Sequence, residues 1–222
     1  MRPCLQLLSG LLLGLALACS GSSDHGTATP ATPAVPAASG FTYTAPAGTG
    51  WRLVEDAAST PTRLLLDLVG PAGTLSRGVG FNLKAAAGVR FGTFGTAGSP
   101  IQDAGVYELL SADPTYLYEP SLLGGGVKAG NLLSVGIFQK DRRLGAKDSG
   151  TVLCQIALVF DAAAGLHKGD ALALSVPKAK YMAGDIGAVG YPAWTSDPEY
   201  YDAVGKAHLV PMAVAVGTLT AQ

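Results

Sequence analysis

Apolar and polar residues alternate along six segments of the chain, and a period of two is that of a β-strand with one buried face. The apolar sides of these segments are Leu64, Leu66 and Leu68; Val79, Phe81 and Leu83; Leu133, Val135 and Ile137; Val152, Cys154, Ile156, Leu158 and Phe160; Leu172, Leu174 and Val176; and Val210, Met212, Val214 and Val216. The pattern predicts strands over 63–69, 79–84, 133–137, 151–160, 170–176 and 208–219. Further strands are expected near 51–55, 88–94 and 105–110.

Turn-forming clusters separate these segments, at Gly70-Pro71, Gly124-Gly125-Gly126 and Lys147-Asp148-Ser149-Gly150. Many short strands at this spacing are typical of a β-sandwich. We therefore predict an all-β fold: a single jelly-roll-like or immunoglobulin-like β-sandwich of about eight or nine strands, spanning 41–222. One helix of more than two turns is expected, near 197–206, where Asp197 and Pro198 form a helix-start signal.

Composition agrees with this fold class and narrows the function. Of 222 residues, 48% are apolar, which is enough to fill a core, and 30 glycines without a G-X-Y period favour tight turns over long helices. Fifteen Lys and Arg stand against 16 Asp and Glu, and only 14% of residues are charged. Because no strongly basic composition is present, we expect no nucleic-acid partner.

The first eighteen residues have the pattern of an export signal. Arg2 precedes an uncharged run from Leu5 to Ala18, which is too short to span a bilayer. The residues Ala16-Leu17-Ala18-Cys19 resemble the lipobox of bacterial lipoproteins. That resemblance implies cleavage before Cys19, acylation of Cys19, and, since Ser20 follows it, delivery to the outer membrane. A conventionally secreted protein, cut elsewhere in the run, is the alternative.

A linker is expected between this signal and the sandwich. Residues 20–40 contain 18 Ser, Gly, Thr, Ala or Pro among 21, so they lack the apolar surface needed to fold. The predicted organisation is a lipoprotein signal peptide at 1–18, a lipidated cysteine with a flexible linker at 19–40, and one domain at 41–222. Several acyl chains would anchor the protein stably to the membrane.

Residues that support catalysis are sparse. The domain has no G-x-S-x-G, no H-E-x-x-H, and no P-loop or Rossmann glycine pattern. His167 and His208 stand apart from each other, and Cys154 belongs to a core row, where we expect it to be inert. We therefore predict no enzyme activity and no cofactor, with a site assembled from scattered Asp, Glu and Tyr as the alternative.

Aromatic residues concentrate in 181–202 and near 116. Rings beside carboxylates suit sugars and protein hot spots alike. The candidate binding residues are Tyr181, Tyr191, Trp194, Tyr200, Tyr201, Tyr116 and Tyr118. Local packing of these rings onto a sheet is the competing interpretation. Asp197, Glu199 and Asp202 are weak candidates for a calcium site, since the EF-hand order is missing.

The densest charge cluster is 139–143, Gln-Lys-Asp-Arg-Arg, between two apolar strands. A solvated hairpin tip is the expected structure. Attraction to anionic lipid head groups is the alternative, although it ordinarily requires four to eight basic residues together.

The order of strands and glycines resembles the cohesin-like and carbohydrate-binding-module sandwiches over about 60–178. The segments that carry the resemblance are GVGFNLKAAAGVRFGTF (78–94), GNLLSVGIF (130–138), GTVLCQIALVF (150–160) and DALALSV (170–176). It implies a nine-stranded jelly-roll-like sandwich that recognises another macromolecule without chemistry, and it assigns no binding residue.

Three functions follow from these features. The first is a membrane-anchored cell-envelope lipoprotein, on the outer membrane, that acts as a non-catalytic binding or adhesion module for a protein or glycan partner. The second is a structural or assembly lipoprotein of an envelope complex, acting by strand addition at an exposed sheet edge. The third is a hydrolase or enzyme accessory subunit.

Overall fold

Short strands make up most of the chain that the computed structural model describes, which is residues 34–108, 120–139, 146–183 and 209–222. These ranges contain fourteen strands and one 3₁₀ helix, Ala162–Ala164. The strands are β1 (Phe41–Thr44), β2 (Arg52–Glu55), β3 (Arg63–Val69), β4 (Leu75–Ala85), β5 (Val89–Phe91), β6 (Ile101–Asp103), β7 (Leu122–Lys128), β8 (Leu132–Phe138), β9 (Lys147–Asp148), β10 (Val152–Phe160), β11 (Ala171–Leu172), β12 (Leu174–Ala183), β13 (Leu209–Pro211) and β14 (Thr218–Ala221).

The strands form three antiparallel sheets. A five-stranded sheet has the order β2-β3-β10-β5, with β6 next to β5 along the same side of β10. A six-stranded sheet has the order β13-β12-β4-β8-β7, with β9 continuing beyond β8 along β4. A small sheet, β1-β14-β11, joins the two ends of the domain. Neighbours such as β3 and β10 are far apart in sequence, so most of the pairing is long-range.

The two large sheets share one hydrophobic core. The alternating apolar residues predicted for 63–69, 79–84 and 133–137 are all buried, with exposures of 6% or less. They belong to a single cluster with Leu53, Ile156 and Leu158 of the five-stranded sheet. Burial of every second residue confirms the prediction of an all-β sandwich.

The central strand β10 is buried on both faces along most of its length, as is the second half of its neighbour β3. Cys154, Ile156 and Leu158 have no exposed surface on one side, and Leu153 and Ala157 have none either. The predicted core row, with Cys154 in it, is therefore confirmed. Phe160, at its end, meets Phe41 of β1 edge to face, with ring centroids 5.3 Å apart.

The number of strands was underestimated from the sequence pattern, and one predicted turn is wrong. Gly124-Gly125-Gly126 lies inside β7, where glycine removes the apolar alternation that identifies a strand. The strand expected at 105–110 lies instead at β6, before a bend. The strand expected over 208–219 is two strands, β13 and β14, separated by irregular backbone from Met212 to Gly217.

The residues just before β1 are bonded to the domain. Ala38 N–H donates to the carbonyl of Leu166 at 2.9 Å, and Ser39 N–H donates to that of Gln222 at 2.6 Å. Val35–Gln222 form one compact unit, which thus includes the end of the segment predicted as linker. Within the described ranges, no helix is long and apolar enough to cross a membrane.

Candidate binding face of the six-stranded sheet

Most of the site residues predicted from the sequence lie outside the described part of the chain. These are Cys19, the aromatics Tyr116, Tyr118, Tyr191, Trp194, Tyr200 and Tyr201, and the calcium candidates Asp197, Glu199 and Asp202. The signal at 1–18, the linker up to residue 33, the helix expected near 197–206, His208 and most of the charge cluster at 139–143 also lie outside it. For all of them the sequence-based predictions stand as stated.

Tyr181 is the one aromatic candidate that the structure describes. It lies in β12 opposite Val79 of β4, whose side chain is buried in the core. Its ring is half-buried and lies 5.3 Å from that of Trp51, centroid to centroid, at an interplanar angle of 33°. Tyr181 therefore faces the interior side of the sheet, and its contact is of the packing kind.

The opposite side of the six-stranded sheet is defined by strand register, because directly paired residues lie on the same face. We call these paired positions the outer face. They form four rows that run across the strands: Leu122, Phe138, Gly78, Met182 and Leu209; Gly124, Gly136, Gly80, Lys180 and Pro211; Gly126, Ser134, Asn82 and Lys178; and Lys128, Leu132, Lys84 and Ser175.

The first row is apolar and is built around the ring of Phe138. A Cβ atom at Gly78 would collide with this ring, and one at Gly136 would lie 3.1 Å from its Cε2 atom. A Cβ at Gly80 would lie 3.6 Å from its Cζ atom. The ring thus lies over three glycines on adjacent strands, and its close approach explains the absence of a side chain at Gly78 and disfavours one at Gly136. Leu122 and Leu209, at the two ends of the row, are exposed by 52% and 37%.

The other rows carry the charge of the face. Lys84, Lys128, Lys178 and Lys180 are all exposed, and none of the paired positions in the four rows carries a carboxylate. Asp148 of β9 lies beyond these rows, where it accepts hydrogen bonds from the backbone of Gly73 and Gly150. The outer face is therefore cationic, although the whole chain has a formal net charge of −1.

A shallow groove of about 300 Å³ lies where the apolar and cationic parts meet. Phe138 and Leu209 line one part of it, and Lys178, Lys180 and Asn82 line another. The ammonium groups can pair with anions, the ring and the leucine offer apolar contact, and the glycine backbone between them admits close approach. This arrangement is suited to binding.

A cluster of three hydroxyl-bearing side chains lies deep in the core. Ser76 Oγ is 2.6 Å from the Tyr107 hydroxyl and 2.8 Å from Ser149 Oγ, and all three residues are buried. Burial raises the pKa of Tyr107, and burial, with the charges of Asp103 and Asp67, raises the pKa of the Cys154 thiol to about 12. These hydroxyls satisfy one another away from solvent, so the cluster stabilises the packing of the two sheets.

Metal-binding chemistry is not apparent in the described ranges. His167 Nδ1 lies 4.0 Å from Asp170, and both side chains are about half exposed in the turn before β11. No three His, Cys, Asp or Glu side chains gather there, or elsewhere in the part of the chain that the structure describes, closely enough to hold a metal ion.

The sequence pattern gave a partial signal for the outer face. Gly80, Asn82 and Lys84 alternate with the buried residues of β4, so their outward direction is readable from the sequence. The residues that lie beside them on the next strands cannot be read from the sequence, because only the long-range register places Phe138 beside Gly78 and Lys178 beside Asn82. The clustered aromatic residues of the sequence therefore do not indicate this face, which is assembled from five strands.

Comparisons with known proteins give a distant structural likeness. No protein-family model matches the chain, and no curated protein matches it significantly. Among solved structures, the chain is similar to the sixth cohesin of scaffoldin B from Acetivibrio cellulolyticus, crystallised with a mutant Cel5 dockerin. The match has a TM-score of 0.44 and 11% identity, and it covers 77% of this chain and 97% of that one.

Proposed function

We propose that this protein is a lipid-anchored, non-catalytic binding module of the cell envelope that holds a protein partner on the outer face of its six-stranded sheet. The observation that carries the proposal is that the apolar row of this face lies beside exposed lysines, with glycines of the neighbouring strands between them. The partner surface that fits this face presents apolar side chains next to carboxylates.

The charges support an acidic partner. The face has four exposed lysines and no carboxylate among its paired positions, so it attracts a negatively charged partner. This attraction increases the rate of association, and salt weakens it. Phe138, at the centre of the apolar row, is the part of the face best placed for a buried hot spot. Among the paired positions of the outer face Phe138 is the one aromatic residue, which favours a protein over a stacked glycan.

Capture from detergent-solubilised envelope tests this proposal, using the full-length protein. Wild type should retain one stoichiometric partner, and retention should fall at high salt. The double variant Lys178→Glu/Lys180→Glu should lose that partner. A second double variant, Lys168→Glu/Lys84→Glu, has the same change in net charge, but only Lys84 lies on the outer face. It should therefore lose less of the bound partner.

Lys168→Glu alone is the matched control, because Lys168 is exposed in the turn before β11 and belongs to none of the four rows. Equal retention by wild type and Lys178→Glu/Lys180→Glu would rule out the outer face as the binding surface. A glycan array with Trp194→Ala tests the glycan alternative: signal lost in that variant would move binding to the aromatic segment at 181–202.

The anchor is proposed from the lipobox resemblance and needs its own test. Metabolic labelling with a fatty acid should mark the wild-type protein, and Cys19→Ser should remove the label and release the protein from membranes. An unlabelled product, or a Cys19→Ser protein that stays equally bound to vesicles, would contradict anchoring by lipid. Fractionation of the envelope then tests the outer-membrane location.

A further inference from the structure

The edge strand β7 lacks the protections found on the edge strands β2, β5, β6, β11 and β13 of the described chain. β13 has three residues and ends at Pro211, while β5 and β6 have three each and β11 has two. β2 is covered, because Leu53 N–H donates to the Ala215 carbonyl at 3.0 Å and Ala215 N–H donates to that of Trp51 at 2.8 Å. β7 has seven residues, pairs along one side with β8, and contains no proline. An edge of this kind is a template for another strand.

The side chains of β7 make this edge apolar. Leu122, Leu123 and Val127 are exposed by 52%, 40% and 55%, and the one charged residue, Lys128, stands at the end of the strand. Leu123 and Val127 share the core side of the sheet with Gly125, since they pair with Ile137, Leu133 and Val135 of β8. Such residues on an exposed edge remain in water unless a neighbour covers them.

The sequence of β7 complements itself when it runs antiparallel to a second copy. With Gly125 on the two-fold axis, Leu123 lies opposite Val127 of the other copy, and Gly124 lies opposite Gly126. Lys128 lies opposite Leu122, so no like charges meet. Directly paired residues share one face, and the two apolar pairs therefore lie on the same side of the joined sheet.

We propose that two copies of this chain associate through their β7 strands, in antiparallel register centred on Gly125, to form a two-fold symmetric dimer with a continuous sheet. The interface is isologous, as closed dimers require. A single pair of strands buries less surface area than the roughly 1,200 Å² that is typical of stable complexes, so the dimer is weak. It places two outer faces side by side, and it does not depend on what those faces bind.

Disulfide trapping in the full-length protein tests the register. Cα atoms of directly opposed residues in antiparallel strands are about 4.5–5.5 Å apart, which is within the range for a disulfide. A Cβ atom at Gly124 or Gly126 meets nothing within 4 Å, so Gly124→Cys and Gly126→Cys are tolerated. Mixed under oxidant with distinguishable tags, the two variants should form the 124–126 heterodimer about tenfold more than either variant alone.

Gly50→Cys is the matched control, because Gly50 is exposed, has open space around it and lies away from β7. Mixtures of Gly50→Cys with Gly126→Cys should give only the background yield. If the 124–126 mixture does not exceed that background, or if both variants are trapped on a different protein instead of each other, self-pairing through β7 is wrong.

A charge swap provides a second test that needs no cysteine. Leu123→Lys/Val127→Lys places lysine opposite lysine in both cross-strand pairs, so the dissociation constant should rise about tenfold. Leu123→Glu/Val127→Lys places opposite charges there and should restore association. Sedimentation over a concentration series measures both. Equal behaviour of the two variants, or a wild type that stays monomeric to millimolar concentration, would overturn the proposal.

Discussion

Strands β10 and β7 represent opposite extremes of the same sandwich. β10 is paired along both sides and buried on both faces, with five of its nine residues entirely inaccessible. β7 is paired along one side, and six of its seven residues are exposed. The difference shows that one strand supplies the core while the other contributes surface. Five predictions test this contrast.

Thiol reactivity gives the largest expected difference. Cys154 in β10 is fully buried with a raised pKa, whereas Gly126→Cys would place a thiol on the open surface of β7. Cys154 should react with a thiol reagent at least about a thousandfold more slowly, because the domain must first open. In denaturant the two should react alike. Similar rates in the folded protein would show that β10 is accessible.

Side-chain truncation should separate the two strands by several kcal/mol. Ile156→Ala removes methylene groups from a completely buried site and should lower the free energy of unfolding by about 2–5 kcal/mol. Val127→Ala, at a side chain exposed by 55%, should change it by less than about 0.5 kcal/mol. Denaturant unfolding of the full chain measures both, and equal losses would contradict the assignment of β7 to the surface.

The hairpin that holds β7 against β8 depends on Asn131. Its backbone has a positive φ of 54°, and its Nδ2 atom donates to the carbonyls of Ala85, Ala86 and Val89 at 3.1, 3.0 and 2.7 Å. Asn131→Ala should cost about 1–3 kcal/mol. Asn131→Gly keeps the backbone freedom and loses the three bonds, so it isolates the side-chain contribution. No change in either unfolding curve would refute this role.

Alkaline pH should weaken the domain through β10. The unfolded thiol of Cys154 ionises near its ordinary pKa of about 9, while the folded thiol has a pKa of about 12. The stabilising effect is therefore complete below pH 9 and is lost as pH rises towards 12, by about 1 kcal/mol for the first unit. Tyr107, whose pKa burial also raises, acts in the same direction at higher pH. Unfolding of the Cys154→Ala variant should release up to one proton fewer between pH 9 and pH 12. Its unfolding free energy should therefore fall less steeply with pH than that of the wild type.

The smallest effect is expected at the glycines of β7. A Cβ atom at Gly126 would meet nothing within 4 Å. Gly126→Thr should therefore raise the unfolding free energy by about 0.5 kcal/mol, because it lowers the conformational entropy of the unfolded chain and has a better strand propensity. Gly78→Ala is the contrasting case, because its Cβ would collide with Phe138 and should destabilise the sheet. A loss at Gly126 comparable to that at Gly78 would mean that the outer surface of β7 is already covered.

The parts of the fold that could be predicted from the sequence are those where one-sided burial imposes alternation. β4 and β8 show it most clearly. β3 and β10 are also predicted, because every second residue in them is apolar, although β10 is buried on both faces. β7 was not predicted, because its residues are exposed on both faces and three glycines interrupt any pattern. Four-residue β1 was also missed, although Phe41 and Tyr43 alternate with threonines and are both buried.

The candidate binding face could not be derived from the sequence for a different reason. Its charges are visible as individual lysines, but what makes them one surface is the register of five strands that are distant in sequence. Gly78 and Phe138 are sixty residues apart, and the missing side chain of one accommodates the ring of the other. Physical complementarity of this kind becomes visible only in three dimensions.

The small sheet at the ends of the domain has a mechanical consequence. β1 lies antiparallel to β14, and Gln222 N–H donates to the Gly40 carbonyl at 3.0 Å while Ser39 donates back to Gln222. A force applied to residues 36–40 along the axis of β1 would act in shear on the hydrogen bonds between β1 and β14. These bonds would carry the load together before it reached the core. The domain is thereby suited to hold its shape under a steady pull from its amino-terminal side.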